Sequence, residues 1–186
     1  AYCKNSVFYA NKTTFDKVGR DLVLLNAFSN IGNIYVYKGL YDSAFIYFQQ
    51  AFDQIKPGMN ERELLYSFGD EFSKNKSVHY LVELLINKGN AFVKLFKESK
   101  QRRFLARAIE IYKTTDQLLN RIRAEQTVLE SKLFWRSDSR HLYENAIEVC
   151  FLQDDAISAF YFFERSRAVL LNEHLTIQRW MGSDDI

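Results

Sequence analysis

The feature that most constrains this chain is a run of small and aromatic residues spaced for two facing helices. Between positions 28 and 51 they are Phe28, Ile31, Gly32, Tyr35, Gly39, Tyr41, Ala44, Phe48 and Ala51. Gly32 and Ala44 allow two helix backbones to approach closely, and Tyr35 and Phe48 fill the space beside them. Gly39 lies between the two segments, where a helix can end in a left-handed residue at little cost. The spacing predicts an antiparallel helical hairpin.

These nine positions resemble the tetratricopeptide repeat, a helix–turn–helix unit that stacks on copies of itself. Weaker copies follow along the chain. The second copy consists of Gly89, Phe92, Ala108, Tyr112 and Thr115, and the third of Tyr143, Ala146, Ile147, Cys150, Ala159, Phe163 and Ser166. Gly89 and Ala108 are seven residues further apart than Gly32 and Ala44, so we expect extra residues near the second turn, around 97–103.

The resemblance implies an all-α fold, an α-solenoid of antiparallel helix pairs in one array. Its predicted parts are a half-unit at 1–17 (with Cys3, Val7 and Ala10), units at 21–56, 78–123 and 125–176, an irregular connection at 57–76 and an extension at 177–186. Helices are expected near 2–17, 21–38, 41–56, 78–98, 101–123, 125–134, 138–153 and 155–176, with one short helix after Pro57. Asp138 and Asp154 are predicted N-caps.

Composition agrees with a helical chain and excludes some partners. One proline and seven glycines among 186 residues are too few for the many turns of a β-sandwich. The net charge of +2 gives no overall attraction to nucleic acid or to an anionic membrane. No stretch reaches the ~18 apolar residues of a membrane span. We therefore expect no membrane partner.

The stretch from Glu130 to Leu171 carries a more specific resemblance. Its Ser-Lys-Leu, Leu-Tyr-Glu-Asn-Ala-Ile and Ala-Phe-Tyr-Phe-Phe-Glu-Arg-Ser-Arg-Ala-Val-Leu-Leu segments are similar to the last repeats before the caspase-like domain of bacterial CHAT proteins. Arg167 stands where lysine is more usual in that family. The resemblance implies a sensor or substrate-docking region, with the histidine and cysteine of the peptidase-like domain lying downstream of Ile186.

No residue pattern in the chain itself predicts catalysis, a metal site or a cofactor. Cys3 and Cys150 match no metal or redox spacing, and Cys150 falls on a packing position of the third unit. His79, His141 and His174 are far apart and near no cysteine pair. Glu144 follows His141 by three residues, which indicates a surface pair. We expect this segment not to be an enzyme.

The predicted binding surface is the concave groove formed by the first helix of each unit. We expect it to hold a protein or peptide ligand, or a downstream domain of the same chain. Its residues are Asn26, Ser29, Asn33, Tyr37, Glu83, Asn90, Lys94, His141, Glu144 and Glu148. Asparagine recurs at one repeat position as Asn33 and Asn90, where an amide can both donate to and accept from a peptide backbone.

Two other functions stay open. One is an adaptor or signalling repeat protein unrelated to proteolysis. The other, less favoured, is RNA binding through a basic turn with few interleaved aromatic residues. This turn contains Lys94, Lys97, Lys100, Arg102, Arg103 and Arg107, against the single acid Glu98.

The two ends of the chain carry further expectations. An amphipathic pattern begins at Ala1, which predicts that the chain is a piece of a longer protein. The location of that protein is left open, with the cytoplasm favoured. At the other end Leu175, Ile177, Trp180 and Met181 continue the apolar spacing. We expect this extension to fold back and bury Trp180, or else to form a weak homodimer through an end of the array.

Overall fold

A computed structural model describes the backbone of residues 17–58, 60–67, 77–125 and 129–181, and the side chains of 19–58, 60–64, 79–121, 139–169 and 171. These residues form seven helices and contain no strand. The helices are α1 (Lys17–Tyr37), α2 (Tyr41–Asp53), α3 (Glu61–Ser67), α4 (Ser77–Ser99), α5 (Arg103–Glu125), α6 (Leu129–Gln153) and α7 (Ala156–Met181). The predicted all-α class is confirmed. The predicted half-unit, apart from its last residue, lies outside the described residues.

The helices pack in a regular order. Helix α1 packs on α2, α4 on α5, and α6 on α7, which gives three hairpins. Helix α4 also contacts both helices of the first hairpin, and α6 contacts both helices of the second. The first helices of the hairpins, α1, α4 and α6, are therefore neighbours in chain order.

In each of the first two hairpins, the two helices cross at a glycine. A Cβ atom on Gly32 would lie 2.5 Å from Cε1 of Phe48, so only glycine leaves room for this ring. Ala44 and Phe48 are fully buried at the crossing. Gly89 stands in the same relation to the buried Tyr112 ring in the second hairpin. The close approach predicted from small and aromatic spacing is therefore present in both hairpins.

The seven extra residues of the second hairpin lie on either side of its turn, and they are helical, so the turn itself is not enlarged. Both turns contain three residues, 38–40 and 100–102. Helix α4 extends five residues further beyond its crossing glycine than α1 does, and α5 begins two residues earlier than α2 relative to the crossing. The run 95–99 has no glycine or proline to stop the helix, so the second hairpin has longer arms.

Each first helix ends in a left-handed residue. Gly39 has a φ of 72°, and the amide of Leu40 donates to the Tyr35 carbonyl at 2.9 Å, as in a Schellman motif. Lys100 and Asp154 take the same backbone region, with φ values of 58° and 62°. Glycine adopts this conformation at little cost, whereas lysine and aspartate adopt it against a steric penalty.

Both predicted N-caps are wrong. Asp155, not Asp154, caps α7, because its Oδ1 accepts the Ser158 amide at 2.9 Å while Asp154 ends the preceding helix. Residue 138 lies inside α6 rather than at a helix start, since α6 runs unbroken from Leu129 to Gln153 where two helices were expected. A polar run of serine and aspartate favours a cap only where the chain also turns, and this chain contains no glycine or proline there.

The third hairpin differs by one residue from its predicted register. Phe162 is fully buried and Ser158 nearly so, whereas Phe163, the residue expected to pack inside, is about half exposed. The described part of the extension, residues 177–181, does not fold back as expected, because α7 continues without a break to Met181. No glycine or proline occurs between Leu171 and Met181 to end the helix. The side chain of Trp180 lies outside the described residues.

The connection after Pro57 contains the expected short helix, α3. Asn60 caps it, since its Oδ1 accepts the amides of Arg62 at 3.0 Å and Glu63 at 3.1 Å. Leu64 is fully buried. Glu61 is also buried and forms an ion pair with Lys88 of α4. Burial alone would raise the pKa of Glu61, but the Lys88 ammonium lowers it below its usual range. This ion pair joins the short helix α3 to the first helix of the second hairpin.

Candidate functional site

A pocket of about 180 Å³ lies between α4 and α6, on the side formed by the first helices of the hairpins. It is lined by Asn90, Val93, Lys94, Lys97, Tyr112, Asn145, Glu148 and Val149. Three of these, Asn90, Lys94 and Glu148, belong to the predicted groove. The pocket combines an apolar wall with amide and charged groups, as small binding sites commonly do.

The amide of Asn90 is the centre of a hydrogen-bond network in this pocket. Its Oδ1 accepts from the Tyr112 hydroxyl at 2.6 Å and from Nδ2 of Asn145 at 3.1 Å. Tyr112 is fully buried, and burial raises its pKa well above the usual range, with the Glu148 carboxylate adding to the effect. The phenol therefore stays protonated and fixes which end of Asn90 points toward it.

The network leaves one donor and one acceptor for a ligand. With its oxygen occupied twice, Asn90 retains Nδ2, and Asn145 retains Oδ1. Neither atom has another partner among the side chains and backbone that the structure describes. A peptide bond offers one carbonyl acceptor and one N–H donor. The two asparagines together thus match the hydrogen-bonding groups of an extended chain.

The rim of the pocket is charged and held by contacts between hairpins. Nζ of Lys97 lies 3.3 Å from Oε1 of Glu148, which joins α4 to α6. Nζ of Lys94 lies 3.9 Å from the centre of the Tyr37 ring, which joins α4 to α1. Such cation–π contacts are worth about 0.5–1 kcal/mol at exposed positions. Tyr37 and Lys94, both predicted groove residues, are therefore brought together across two hairpins.

The other predicted residues have mixed positions. Ser29 is only 3% exposed, so its assignment to an open groove is wrong; its hydroxyl accepts from Nδ2 of Asn87 between the helices at 3.4 Å. Asn26 accepts a hydrogen bond from Asn30 at 3.0 Å. Asn33 and Glu83 are half-buried.

His141 and Glu144 lie on the exposed face of α6. Nδ1 of His141 is 3.9 Å from Oε2 of Glu144, and Arg140 donates to the same carboxylate at 2.8 Å. The arginine lowers the pKa of Glu144. This is the surface pair that the spacing indicates, and it lies outside the Asn90 pocket.

Sequence reasoning missed Asn145, although a signal for it exists. Counted from the crossing position of each hairpin, Asn30, Asn87 and Asn145 occupy the same place, two residues before Gly32, Gly89 and Ile147. The later two each reach back to the preceding first helix, Asn87 to Ser29 and Asn145 to Asn90. Asparagine thus recurs in all three units at this position, against two units at the position of Asn33 and Asn90.

Three of the six basic residues of the predicted turn form ion pairs with nearby carboxylates. Lys97 pairs with Glu148, Arg102 lies 2.8 Å from Asp154, and Arg107 lies 2.6 Å from Glu110. Lys94 and Arg103 lie over aromatic rings. Charges that pair with neighbouring carboxylates are less available to phosphates. These contacts favour a turn anchored to the next hairpin over a surface for RNA.

A buried carboxylate joins the second and third hairpins, and sequence reasoning did not identify it. Asp116 of α5 is fully buried and accepts from the hydroxyls of Tyr143 at 2.6 Å and Tyr161 at 2.5 Å, while Nε of Arg165 lies 3.2 Å away. We name these four residues the Asp116 cluster. Its donors come from α6 and α7, so the cluster connects three helices.

The thiol of Cys150 has the packing role expected of it. It is free and fully buried. Burial raises its pKa to about 11, so it remains a neutral thiol near neutral pH. Among the described residues no group of three or more His, Cys, Asp or Glu is placed to hold a metal ion. None of the helices in the described ranges is both long and apolar enough to cross a membrane.

Comparison with protein-family models, with curated proteins and with solved structures finds no match to this chain.

Proposed function

We propose that this chain is a protein-interaction scaffold, an α-solenoid of tetratricopeptide-like hairpins that binds an extended peptide segment across its first helices. The order of packing supports the solenoid, because the first helix of the second and third hairpins contacts both helices of the hairpin before it. The glycine crossings of the first two hairpins support the repeat assignment.

The observation that carries the binding function is the asparagine pair of the pocket. Asn90 and Asn145 are held by Tyr112 and by each other, so their remaining donor and acceptor are preorganised. Preorganised polar groups bind with less loss of side-chain entropy. A backbone-reading site of this kind accepts many sequences, as a docking surface requires.

The wider role that we propose is that of a sensor or substrate-docking region of a CHAT-type protein. Its support is the resemblance of residues 130–171. The Leu-Tyr-Glu-Asn-Ala-Ile segment lies on α6 and the Ala-Phe-Tyr-Phe-Phe-Glu-Arg-Ser-Arg segment on α7, joined by the aspartate turn at 154–155. This chain alone is expected to have no peptidase activity, and a specific cleavage abolished by Cys150→Ser would contradict that.

Selection of a random-peptide phage library on the immobilised chain tests the binding function. Peptides enriched on the wild type should bind Asn145→Ala about tenfold more weakly or worse, since a lost hydrogen bond in a desolvated site costs about 1–3 kcal/mol. Gln50→Ala, on an exposed position of α2, is the matched control and should bind as the wild type does. Failure to enrich any peptide, or equal binding by Asn145→Ala, would overturn the proposal.

A further inference from the structure

One face of α7, which we call the seam, consists of residues 157, 160, 164, 167 and 171. No described residue covers its three apolar members. Ile157 is 86% exposed, Phe160 65% and Leu171 61%. The opposite face of the same helix carries Phe162 and Ser158, which are buried, and Tyr161 and Arg165, which contact Asp116. The seam therefore points away from the other residues that the structure describes.

The seam has the spacing of a coiled-coil interface. Residues 157, 160, 164, 167 and 171 follow alternating steps of three and four, which is the a and d pattern of a heptad. Glu164 and Arg167 are two successive positions of this pattern, with Ile157 and Phe160 before them and Leu171 after them. These two charged side chains are about half and two-thirds exposed, and their contact at 3.2 Å is within the same helix.

This charge order makes the seam complementary to itself in one orientation. In an antiparallel pair of helices, a positions pack against d positions of the other helix. With the two-fold axis between Glu164 and Arg167, each Glu164 meets the partner copy's arginine and each Phe160 meets the partner copy's leucine. A parallel pair would place like charges together in both central layers, which is unfavourable.

We propose that two copies of this chain associate through α7, antiparallel and with Glu164 against Arg167 across the interface. The proposal is independent of peptide binding in the Asn90 pocket, which lies between α4 and α6. The sequence-based expectation is a weak homodimer through an end of the array, and this proposal places the interface on residues 157–171 of α7. One exposed helix face buries less than the roughly 800 Å² per partner of a standard interface, so the dimer should be weak, with a Kd on the order of 10–100 µM.

Sedimentation velocity across about 5–500 µM, a range that spans the expected Kd, tests the association. The wild type should shift from monomer to dimer, and Phe160→Glu should remain monomeric or raise the Kd at least about tenfold. Ile46→Glu, a change at an exposed apolar residue of α2, is the matched control and should dimerise like the wild type. All three should show the same helical circular dichroism, because the substituted side chains are exposed.

Charge reversal tests the orientation. Glu164→Arg presents two arginines and Arg167→Glu two glutamates, so each variant alone should associate at least about tenfold more weakly than the wild type. Mixed in equal amounts, the two variants should form a heterodimer, because opposite charges then meet in both central layers. A wild type that stays monomeric throughout, whatever other protein it binds, overturns the proposal. Dimerisation that is insensitive to Phe160→Glu, or no association in the mixture, overturns it as well.

Discussion

The crossing of α1 on α2 and the Asp116 cluster both hold helices together, and they do so with opposite chemistry. At the crossing, Gly32, Ala44 and Phe48 pack without a polar atom, and shape alone determines the fit. In the cluster, a buried carboxylate takes two phenol hydrogen bonds and a guanidinium. An apolar contact is stabilised by removing surface from water, whereas a buried charge is tolerated only when its partners are all present.

The third hairpin lacks the glycine of the first two. At its crossing position Ile147 replaces the glycine, so an aromatic ring cannot approach the helix as closely as Phe48 and Tyr112 do. Polar contacts of Tyr143, Tyr161 and Arg165 with Asp116 join this hairpin to the second one. The apolar crossings thus act within a hairpin, whereas the Asp116 cluster acts between two hairpins.

The largest effect is expected from emptying the first crossing. Phe48→Ala should lower the free energy of unfolding by about 3–5 kcal/mol, because it removes a fully buried ring and leaves a cavity. Phe163→Ala is the matched control, since repeat spacing assigns both residues to the same position but Phe163 is half exposed. It should cost less than about 1 kcal/mol. Urea unfolding of the two variants measures the difference, and equal losses would contradict the observed register of the third hairpin.

A smaller loss is expected from Asp116→Asn, which keeps the shape of the side chain and removes its charge. The amide accepts through one oxygen only, so a buried phenol loses a good partner, at a cost of about 1–3 kcal/mol. Asp42→Asn, at an exposed position in the first turn of α2, is the control and should cost no more than about 0.3–1 kcal/mol, because only the favourable interaction of its charge with the helix N-terminus is lost.

Asp116→Asn also has a spectroscopic readout that a loss of packing alone would not give. Burial raises the pKa of Tyr161, and its hydrogen bond to Asp116 raises it further. Removing the carboxylate should therefore lower the pKa of Tyr161 in an ultraviolet pH titration of the folded protein. An unchanged titration would show that the Asp116 charge does not act on this phenol.

The apolar half of this comparison could be predicted from the sequence. Glycine, alanine and aromatic residues at fixed intervals are a strong signal for a close helix crossing, and Gly32, Ala44 and Gly39 lie where the spacing places them. The boundaries of the helices were harder to predict from the sequence. The break expected near Asp138 comes from local composition, and a continuous helix replaces it because no glycine or proline interrupts the chain there. The extra residues near 97–103 follow from the longer interval between Gly89 and Ala108, and they lengthen the two helices rather than the turn.

The polar half could not be predicted, because its partners are far apart in sequence. Asp116 meets residues 27 and 45 positions further on, and no repeat position marks it as buried. The candidate site falls between these cases. Asn90 was found from its recurrence, but Ser29 was misplaced, since a surface assigned by repeat position does not show how closely the neighbouring helix approaches.

The smallest effect is expected at the starts of the second helices, and it depends on pH. Asp155 caps α7, and hydrogen bonds from Ser158 lower its pKa, whereas α2 begins at Leu40 with no side-chain cap. A group whose pKa is lower in the folded state stabilises the fold above its unfolded pKa, about 3.9 for aspartate, and this contribution is lost as the pH falls through the folded value. Asp155→Asn should therefore reduce the loss of stability on acidification from about pH 5 to pH 3.

The first hairpin supplies the control for this measurement. Leu40→Asn changes the corresponding position of α2 without adding a titrating group, so the slope of unfolding free energy against pH should match that of the wild type. At pH 7, Asp155→Asn should cost well under the roughly 1 kcal/mol of a lost cap, because asparagine also accepts an amide hydrogen bond. If both variants left the acid slope unchanged, the pH dependence would have to come from other carboxylates, and the cap of α7 would stabilise the hairpin by geometry alone.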